Sequence, residues 1–213
     1  MSRAMYANLK RPPRTVVEWL ADVVRAVAIV VVIVSLFTLP FTDFAVLSMS
    51  LPAVMLSRMI GLRSGLDLVT CVTVFLAAGS NVIDLYRAWT GWDLLVHAVC
   101  TGVLAAVALV LLDDARVVER TGRRRTPIVV ATMAGLALSA VWEMVEWFGY
   151  RFITDAIFVT YDDTIGDMIA GGAGALLLGV VASRFRLTRA DRAALSPSDL
   201  SELETRASDP SSP

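Results

Sequence analysis

The stretch FAVLSMSLPAVMLSRMI, residues 44–60, decides the fold of this chain, because it determines whether five or six segments cross a membrane. It is shorter than the other apolar segments and carries Pro52 near its middle. A membrane-spanning helix needs about 20 largely apolar residues. Five other segments satisfy this length comfortably, at about 22–41, 65–85, 92–112, 127–148 and 165–183.

The distribution of basic residues favours six spans. With six spans and a cytoplasmic N-terminus, all but two of the 19 Lys and Arg residues fall on the cytoplasmic side, the exceptions being Arg87 and Arg151. With five spans, the basic loop RTGRRR at 120–125 and the basic N-terminal group would lie on opposite sides. The positive-inside rule therefore predicts an all-α, six-helix transmembrane bundle with both termini in the cytoplasm.

The composition agrees with a multi-pass membrane protein. The 213 residues are 56% hydrophobic and 18% charged, with a mean hydropathy of +0.67. The oily run after the basic N-terminus is long and lacks a convincing cleavage site, so we expect no cleavable signal peptide. We predict a basic cytoplasmic segment at 1–20, the six-helix domain at 21–185, and a cytoplasmic, disordered tail rich in Ser, Pro and acids at 186–213.

Acidic residues gather at one end of the predicted helices. In the six-span topology they lie towards the extracytoplasmic side. Ionisable groups at membrane depth are costly and normally turn towards a cavity or a partner. Residues four apart share a helical face, which joins Asp93 to His97 and Asp163 to Asp167. The sequence predicts one polar site from four helix ends, formed by Asp84, Asp93, His97, Glu143, Glu146, Asp163 and Asp167.

A divalent metal ion is the simplest partner for these carboxylates. Closely packed carboxylates cannot all stay ionised without a proton or a cation, and the only cationic candidates nearby are His97, Arg87 and Arg151. Oxygen ligands from Asp and Glu with one imidazole nitrogen suit such an ion. We predict Asp93, His97, Glu143, Glu146, Asp163 and Asp167 as the metal-site residues.

Within this site we predict Glu143 as a catalytic base acting together with His97. Simpler interpretations remain open. His97 could be a hydrogen-bonded packing residue. Glu146 could lie at the water interface between the aromatic anchors Trp142 and Trp147.

Three blocks of the sequence resemble the YjdF-like family of uncharacterised bacterial inner-membrane proteins. They are WDLLVHAVCTG at 92–102, SAVWEMVEW at 139–147 and YDDTIGDMIAGGAGALLLG at 161–179. The order of His, Glu and Asp also resembles, more distantly, the VanZ-like family linked to glycopeptide-antibiotic tolerance, whose second block has E-x-x-Q in place of E-x-x-E. Neither resemblance implies a settled activity. The matching positions are Asp93, His97, Gly102 (displaced by one residue), Glu143, Glu146, Trp147, Asp163, Asp167 and Met168.

Three functions are compatible with such a site. The first is a metal-dependent hydrolase or transferase acting on lipid or lipid-linked substrates. The second is a proton- or ion-coupled transporter, which is disfavoured because the first two membrane helices are expected to carry no buried charge. The third is a non-catalytic envelope or stress-tolerance factor that holds a structural cation. Membrane lipids are the expected partners and nucleic acid is not, because the basic residues are dispersed over inner loops. The sequence does not define the oligomeric state.

Overall fold

The structure is a bundle of α-helices. A computed structural model of the chain describes residues 3–118, 124–155, 157 and 159–192. Within these ranges no β-strand is present, and two residues form an isolated β-bridge. The helices are α1 (Arg3–Lys10), α2 (Val16–Thr38), α3 (Phe41–Met59), α4 (Ser64–Val82), α5 (Leu85–Ala88), α6 (Trp92–Asp114), α7 (Arg125–Phe152) and α8 (Tyr161–Ala182).

Five of these helices, α2, α4, α6, α7 and α8, are long and apolar enough to cross a membrane. The all-helical membrane architecture is therefore confirmed. Helix α3 has the same 19-residue length as α4 and continues through Pro52. It does not reach the same apolar character, because Asp43, Pro52 and Arg58 lower its hydropathy. The count of six spans stays a prediction, as does the cytoplasmic location of the termini.

The long helices pack as two groups of three. Helices α2, α3 and α4 contact one another, and α8 packs along both α6 and α7; α4 and α3 join the groups by packing against α6. Small residues let α6, α7 and α8 approach closely, since Ala105, Ala131 and Ala175 are completely buried where they meet. This close approach places the polar residues near the start of α6 and α8 beside the end of α7.

The N-terminal end of the bundle is closed by three segments that are distant in sequence. We call residues 3–11, 60–63 and 187–192 the cap. Leu62 and Thr188 form the isolated β-bridge, and the Asn8 side chain donates to the Met59 carbonyl at 3.0 Å. The first residues of the predicted tail are thus packed against the bundle, with Leu187 only 3% exposed. Residues 193–213 lie outside the described ranges.

The expectation that the first two membrane helices carry no buried charge is wrong. Glu18 and Arg25 of α2 and Arg58 of α3 are all at most 6% exposed. Arg25 forms an ion pair with Asp67 of α4, which is fully buried, and donates to the Val54 carbonyl at 2.7 Å. Hydropathy could not show this, because the partner of Arg25 lies 42 positions further along the chain. The pair compensates two charges that would each be costly alone.

Candidate metal site

The candidate site lies at the end of the bundle opposite the cap. His97 is in the second turn of α6, Asp167 is in the second turn of α8, and Glu143 is more than two turns before the end of α7. The other end of α6 is fixed to the cap, since Arg192 donates two hydrogen bonds of 2.7 Å to Asp114. The site therefore opens at the end of the bundle where α6 and α8 begin.

His97 is at the centre of the site, with a carboxylate on each side of its ring. Its Nε2 lies 3.4 Å from an oxygen of Asp93 and 3.8 Å from an oxygen of Asp167, and its Nδ1 lies 3.9 Å from Glu143 Oε1. Two sets of three potential ligands share this histidine. The ligand atoms of Asp93, His97 and Asp167, and those of His97, Glu143 and Glu146, lie within 4.8 Å of one another in each set. These separations suit donor atoms around one ion.

The inner side of the site is withdrawn from solvent. The side chains of His97, Glu143 and Asp167 are 8%, 6% and 3% exposed, whereas that of Asp93 is 37% exposed. Glu143 Oε1 is buried and accepts no hydrogen bond from any described residue. A buried carboxylate oxygen without a partner is destabilising, so this atom indicates a missing proton or cation.

The floor of the site is made of small residues that hold the three helices together. A Cβ added to Gly171 would lie 2.7 Å from Ser139 Oγ and 2.9 Å from Thr101 Oγ1, so a larger residue there would displace these hydroxyls. The Ser139 hydroxyl donates a long hydrogen bond of 3.5 Å to the Asp167 carbonyl. Residues 171–174 of α8 are all small. They let α8 pack closely on α6 and α7, and this packing determines where Asp167 lies along those two helices.

Not every predicted site residue joins the cluster. The predicted contribution of Asp84 is wrong: α4 ends at Val82, and Asp84 adopts a positive φ of 55° and precedes α5. Its side chain is 69% exposed and lies 3.8 Å from Arg87. Asp163 is half-buried and is in neither set of potential ligands, and its backbone N–H is capped by Thr160 at 3.3 Å. Arg87 and Arg151 are both on the surface, so His97 is the only basic residue among the described members of the cluster.

Two aromatic residues that the sequence analysis did not identify position the start of α6. The Trp92 indole donates to Ser80 Oγ at 3.0 Å, and its ring stacks on Trp89 with 5.3 Å between centroids. The Tyr86 hydroxyl donates to the Ala77 carbonyl at 2.9 Å. These contacts attach the segment before Asp93 to α4. The signal was present in the sequence as the aromatic run YRAWTGW at 86–92, directly before Asp93.

The chain matches one described family. A family model of predicted membrane proteins, DUF2238, matches residues 13–188, which include every metal-site and floor residue named above. No curated protein and no solved structure matches the chain.

Proposed function

Because this chain belongs to the DUF2238 family of predicted membrane proteins, we propose that it is a multi-pass protein of the bacterial cytoplasmic membrane that binds a divalent metal ion at His97. The site would lie near the extracytoplasmic face. The motif blocks resemble the YjdF-like family and, more distantly, the VanZ-like family. These resemblances fit a location in a bacterial cytoplasmic membrane but imply no particular activity.

The contacts of the cap support six spans with both termini on one side. The Asn8 side chain bonds to the end of α3, and Arg63 N donates to the Leu187 carbonyl at 2.8 Å. The end of α3 therefore lies at the same end of the bundle as the N-terminus, so α3 runs back along α2. Its 19 residues are about 28 Å long, close to the thickness of the hydrocarbon core. Positive residues collect at this end, which favours the cytoplasmic side.

The unpartnered Glu143 Oε1, beside an imidazole with carboxylates on both sides, is the observation that carries the metal proposal. Asp93, His97 and Asp167 supply one nitrogen and two oxygens, whereas Glu143 faces the other ring nitrogen and forms the second set with His97 and Glu146. An ion bound to either set would neutralise carboxylates that otherwise repel one another. The carboxylate across the ring would then orient the imidazole through its second nitrogen. Asp163, four residues before Asp167 on α8 and in neither ligand set, would add negative charge without binding the ion.

A metal ion here would suit hydrolysis or group transfer on a lipid or lipid-linked substrate. A bound divalent ion lowers the pKa of a water ligand and polarises a phosphoryl or acyl oxygen. With the ion held by Asp93, His97 and Asp167, Glu143 would act as the base, together with His97. Asp93 is the partly exposed member through which a substrate would approach, and the neighbouring Leu94 and Leu95 are each nearly half exposed on the lipid-facing side of α6. A non-catalytic envelope factor with a structural cation would use the same residues, and substrate turnover separates the two.

A one-sided site fits this structure better than a transport path. Below Thr101 and Ser139, the contact between α6, α7 and α8 is filled by fully buried alanines, Ala105, Ala131 and Ala175. The buried charges at the other end, centred on Arg25 and Asp67, lie between α2, α3 and α4. The two polar regions are thus in different helix groups, and the described part of the α6–α8 interface offers no polar groups to connect them.

Elemental analysis of the purified full-length protein tests the proposal. We expect about one divalent ion per chain in the wild type, and loss of the ion in His97→Ala and in Glu143→Gln. His97 is a donor in both sets, and Glu143 is either a donor or the carboxylate that orients the imidazole. Asp84→Asn is the matched control, since it removes an exposed acid at the same end of the bundle and should retain the ion. Monodisperse His97→Ala and Glu143→Gln proteins that both retain the ion in full would refute metal binding at this site. Turnover of a bacterial lipid extract that is lost with the ion would support the enzyme over the structural role.

A further inference from the structure

A second site is indicated at the opposite end of the protein, in the cap. Arg189 is 8% exposed, and all three nitrogens of its guanidinium group are buried without a hydrogen-bond partner among the described residues. Among the described residues, its one ion-pair partner within 4 Å is an oxygen of Asp191 at 3.7 Å, beyond hydrogen-bonding distance. A guanidinium group carries five N–H donors, and burying it unsatisfied is costly. The described residues therefore leave the N–H donors of this side chain without an acceptor.

The neighbouring carboxylates do not supply this acceptor, because they already accept hydrogen bonds from other arginines. Glu18 accepts from Arg11 Nη1 at 2.9 Å and from the Arg14 backbone at 2.6 Å. One oxygen of Asp191 accepts from both Arg11 at 3.0 Å and Arg14 at 3.1 Å. Three guanidinium groups thus share two carboxylates.

Of the three guanidinium groups, that of Arg189 has its positive charge least compensated. Arg14 is 66% exposed and can be solvated by water, but the Arg189 side chain is 6% exposed and cannot. Burial lowers the pKa of Arg189, and the nearby charge of Arg11 lowers it further, which shows how poorly the cation is compensated. Three other arginines of this end are each paired with an acid, Arg25 with Asp67, Arg58 with Asp22 and Arg192 with Asp114.

We propose that Arg189 is the centre of an anion-binding site that takes a phosphate group, with Arg11 and Arg14 as its outer contacts. The planar fork of arginine matches two oxygens of a phosphate, and charge-assisted bonds of this kind are stronger than neutral ones. Asp191 is 41% exposed, so its side chain can turn out to water and leave its place to the phosphate. A bound phosphate replaces the 3.7 Å contact between Arg189 and Asp191 with a bidentate pair of hydrogen bonds, and its negative charge compensates the guanidinium group of Arg189.

The position of the site suits both a lipid headgroup and a soluble phosphate. Arg14 is directly followed by the start of α2, where Val16 is 75% and Trp19 is 60% exposed. An exposed tryptophan at a helix end is typical of the membrane–water interface, where headgroup phosphates lie. In the topology proposed above this is the cytoplasmic face, where anionic lipids attract basic residues. The chemistry of the two ligands is the same, so the experiment must distinguish them.

Thermal unfolding of the full-length protein in a maltoside detergent provides the test. Inorganic phosphate is compared with chloride at equal ionic strength, and phosphatidylglycerol is compared with phosphatidylcholine in mixed micelles. We expect phosphatidylglycerol, phosphate or both to raise the Tm of the wild type. Arg189→Gln should weaken the apparent affinity about tenfold or more, as the loss of a charged bidentate contact predicts. Arg186→Gln, which removes an exposed arginine three positions away, should keep the response.

Two further variants complete the design. Asp191→Asn should strengthen the response, because it removes the competing carboxylate, and it keeps the test valid if Arg189→Gln does not fold. The same titrations in His97→Ala exclude phosphate bound through an ion at the other site. Stabilisation by phosphatidylglycerol alone assigns a lipid headgroup, and stabilisation by phosphate alone assigns a soluble ligand. No stabilisation of the wild type, an equal loss in Arg186→Gln and Arg189→Gln, or a weaker response in Asp191→Asn would each overturn the proposal.

Discussion

Replacing Gly174 by alanine should separate α6 from α8 and disturb the candidate metal site without touching any of its side chains. A Cβ at Gly174 would lie 2.6 Å from the Ala98 carbonyl carbon and closer still to its oxygen, whereas ordinary contacts begin near 3.4 Å. The obstacle is backbone, so no side-chain rotation can relieve it, and the helices must move apart by at least about 0.8 Å. Ala98 follows His97 directly, so the movement carries the imidazole away from Asp167.

The expected cost is about 1–3 kcal/mol in the free energy of unfolding, the usual size for overpacking a tight interface. Metal affinity should fall about 10- to 100-fold, as it does when an orienting contact is lost. Denaturant unfolding in detergent and isothermal metal titration measure the two effects. Gly166→Ala is the matched control on the same helix, because its nearest neighbour, a Leu94 methyl, is at an ordinary 3.6 Å. A Gly174→Ala protein as stable as the control, with unchanged metal affinity, would refute the close packing on which the site depends.

Two other predictions concern charges at the cap end. Asp67→Ala should cost about 3–5 kcal/mol in the free energy of unfolding, because it leaves Arg25 buried and uncompensated. The double variant Arg25→Met with Asp67→Leu should recover most of that loss in the same unfolding assay. An Asp67→Ala protein within about 0.5 kcal/mol of wild type, the usual range of surface substitutions, would contradict the buried ion pair. Slight burial alone would raise the pKa of Asp191, but the hydrogen bond and charge of Arg11 outweigh it and hold the pKa below the ordinary value of 3.8. Its contribution is therefore present above about pH 4 and is lost as the pH falls through the lowered pKa. Because Asp191 is largely exposed, its contribution to the free energy of unfolding should stay below about 1 kcal/mol. We expect Asp191→Asn to be slightly less stable than wild type at pH 7 and equally stable in acid, as measured by denaturant unfolding.

Much of the candidate site could be predicted from local spacing. Asp93 and His97 are four residues apart on one helix, which places them on the same face whatever the rest of the chain does. Gly171 lies four residues after Asp167, and Ser139 lies four residues before Glu143. These small residues mark the helix faces that pack closely, so Glu143 and Asp167 could be expected to lie near His97. The ligand role of these residues stays a prediction, since it depends on an ion.

Features that depend on distant partners could not be predicted. Hydropathy placed Asp84 at the end of a continuous helix, yet a turn with positive φ directs it to solvent. The same scale treats Arg25 as a charge at a membrane edge, because it contains no information on Asp67 or the Val54 carbonyl. The cap was missed for the same reason: its bridge joins positions 62 and 188, and no local pattern marks either of them.

The bridge between Leu62 and Thr188 also has a consequence for biogenesis. The ribosome synthesises residues 187–192 after every long helix of the bundle, yet these residues hold the loop that follows α3 and, through Arg192, the end of α6. Until residues 187–192 have been synthesised, the helices made earlier lack these contacts at the cap. This end of the bundle is therefore completed only after residues 187–192 have been synthesised and have packed against the loop that follows α3 and the end of α6.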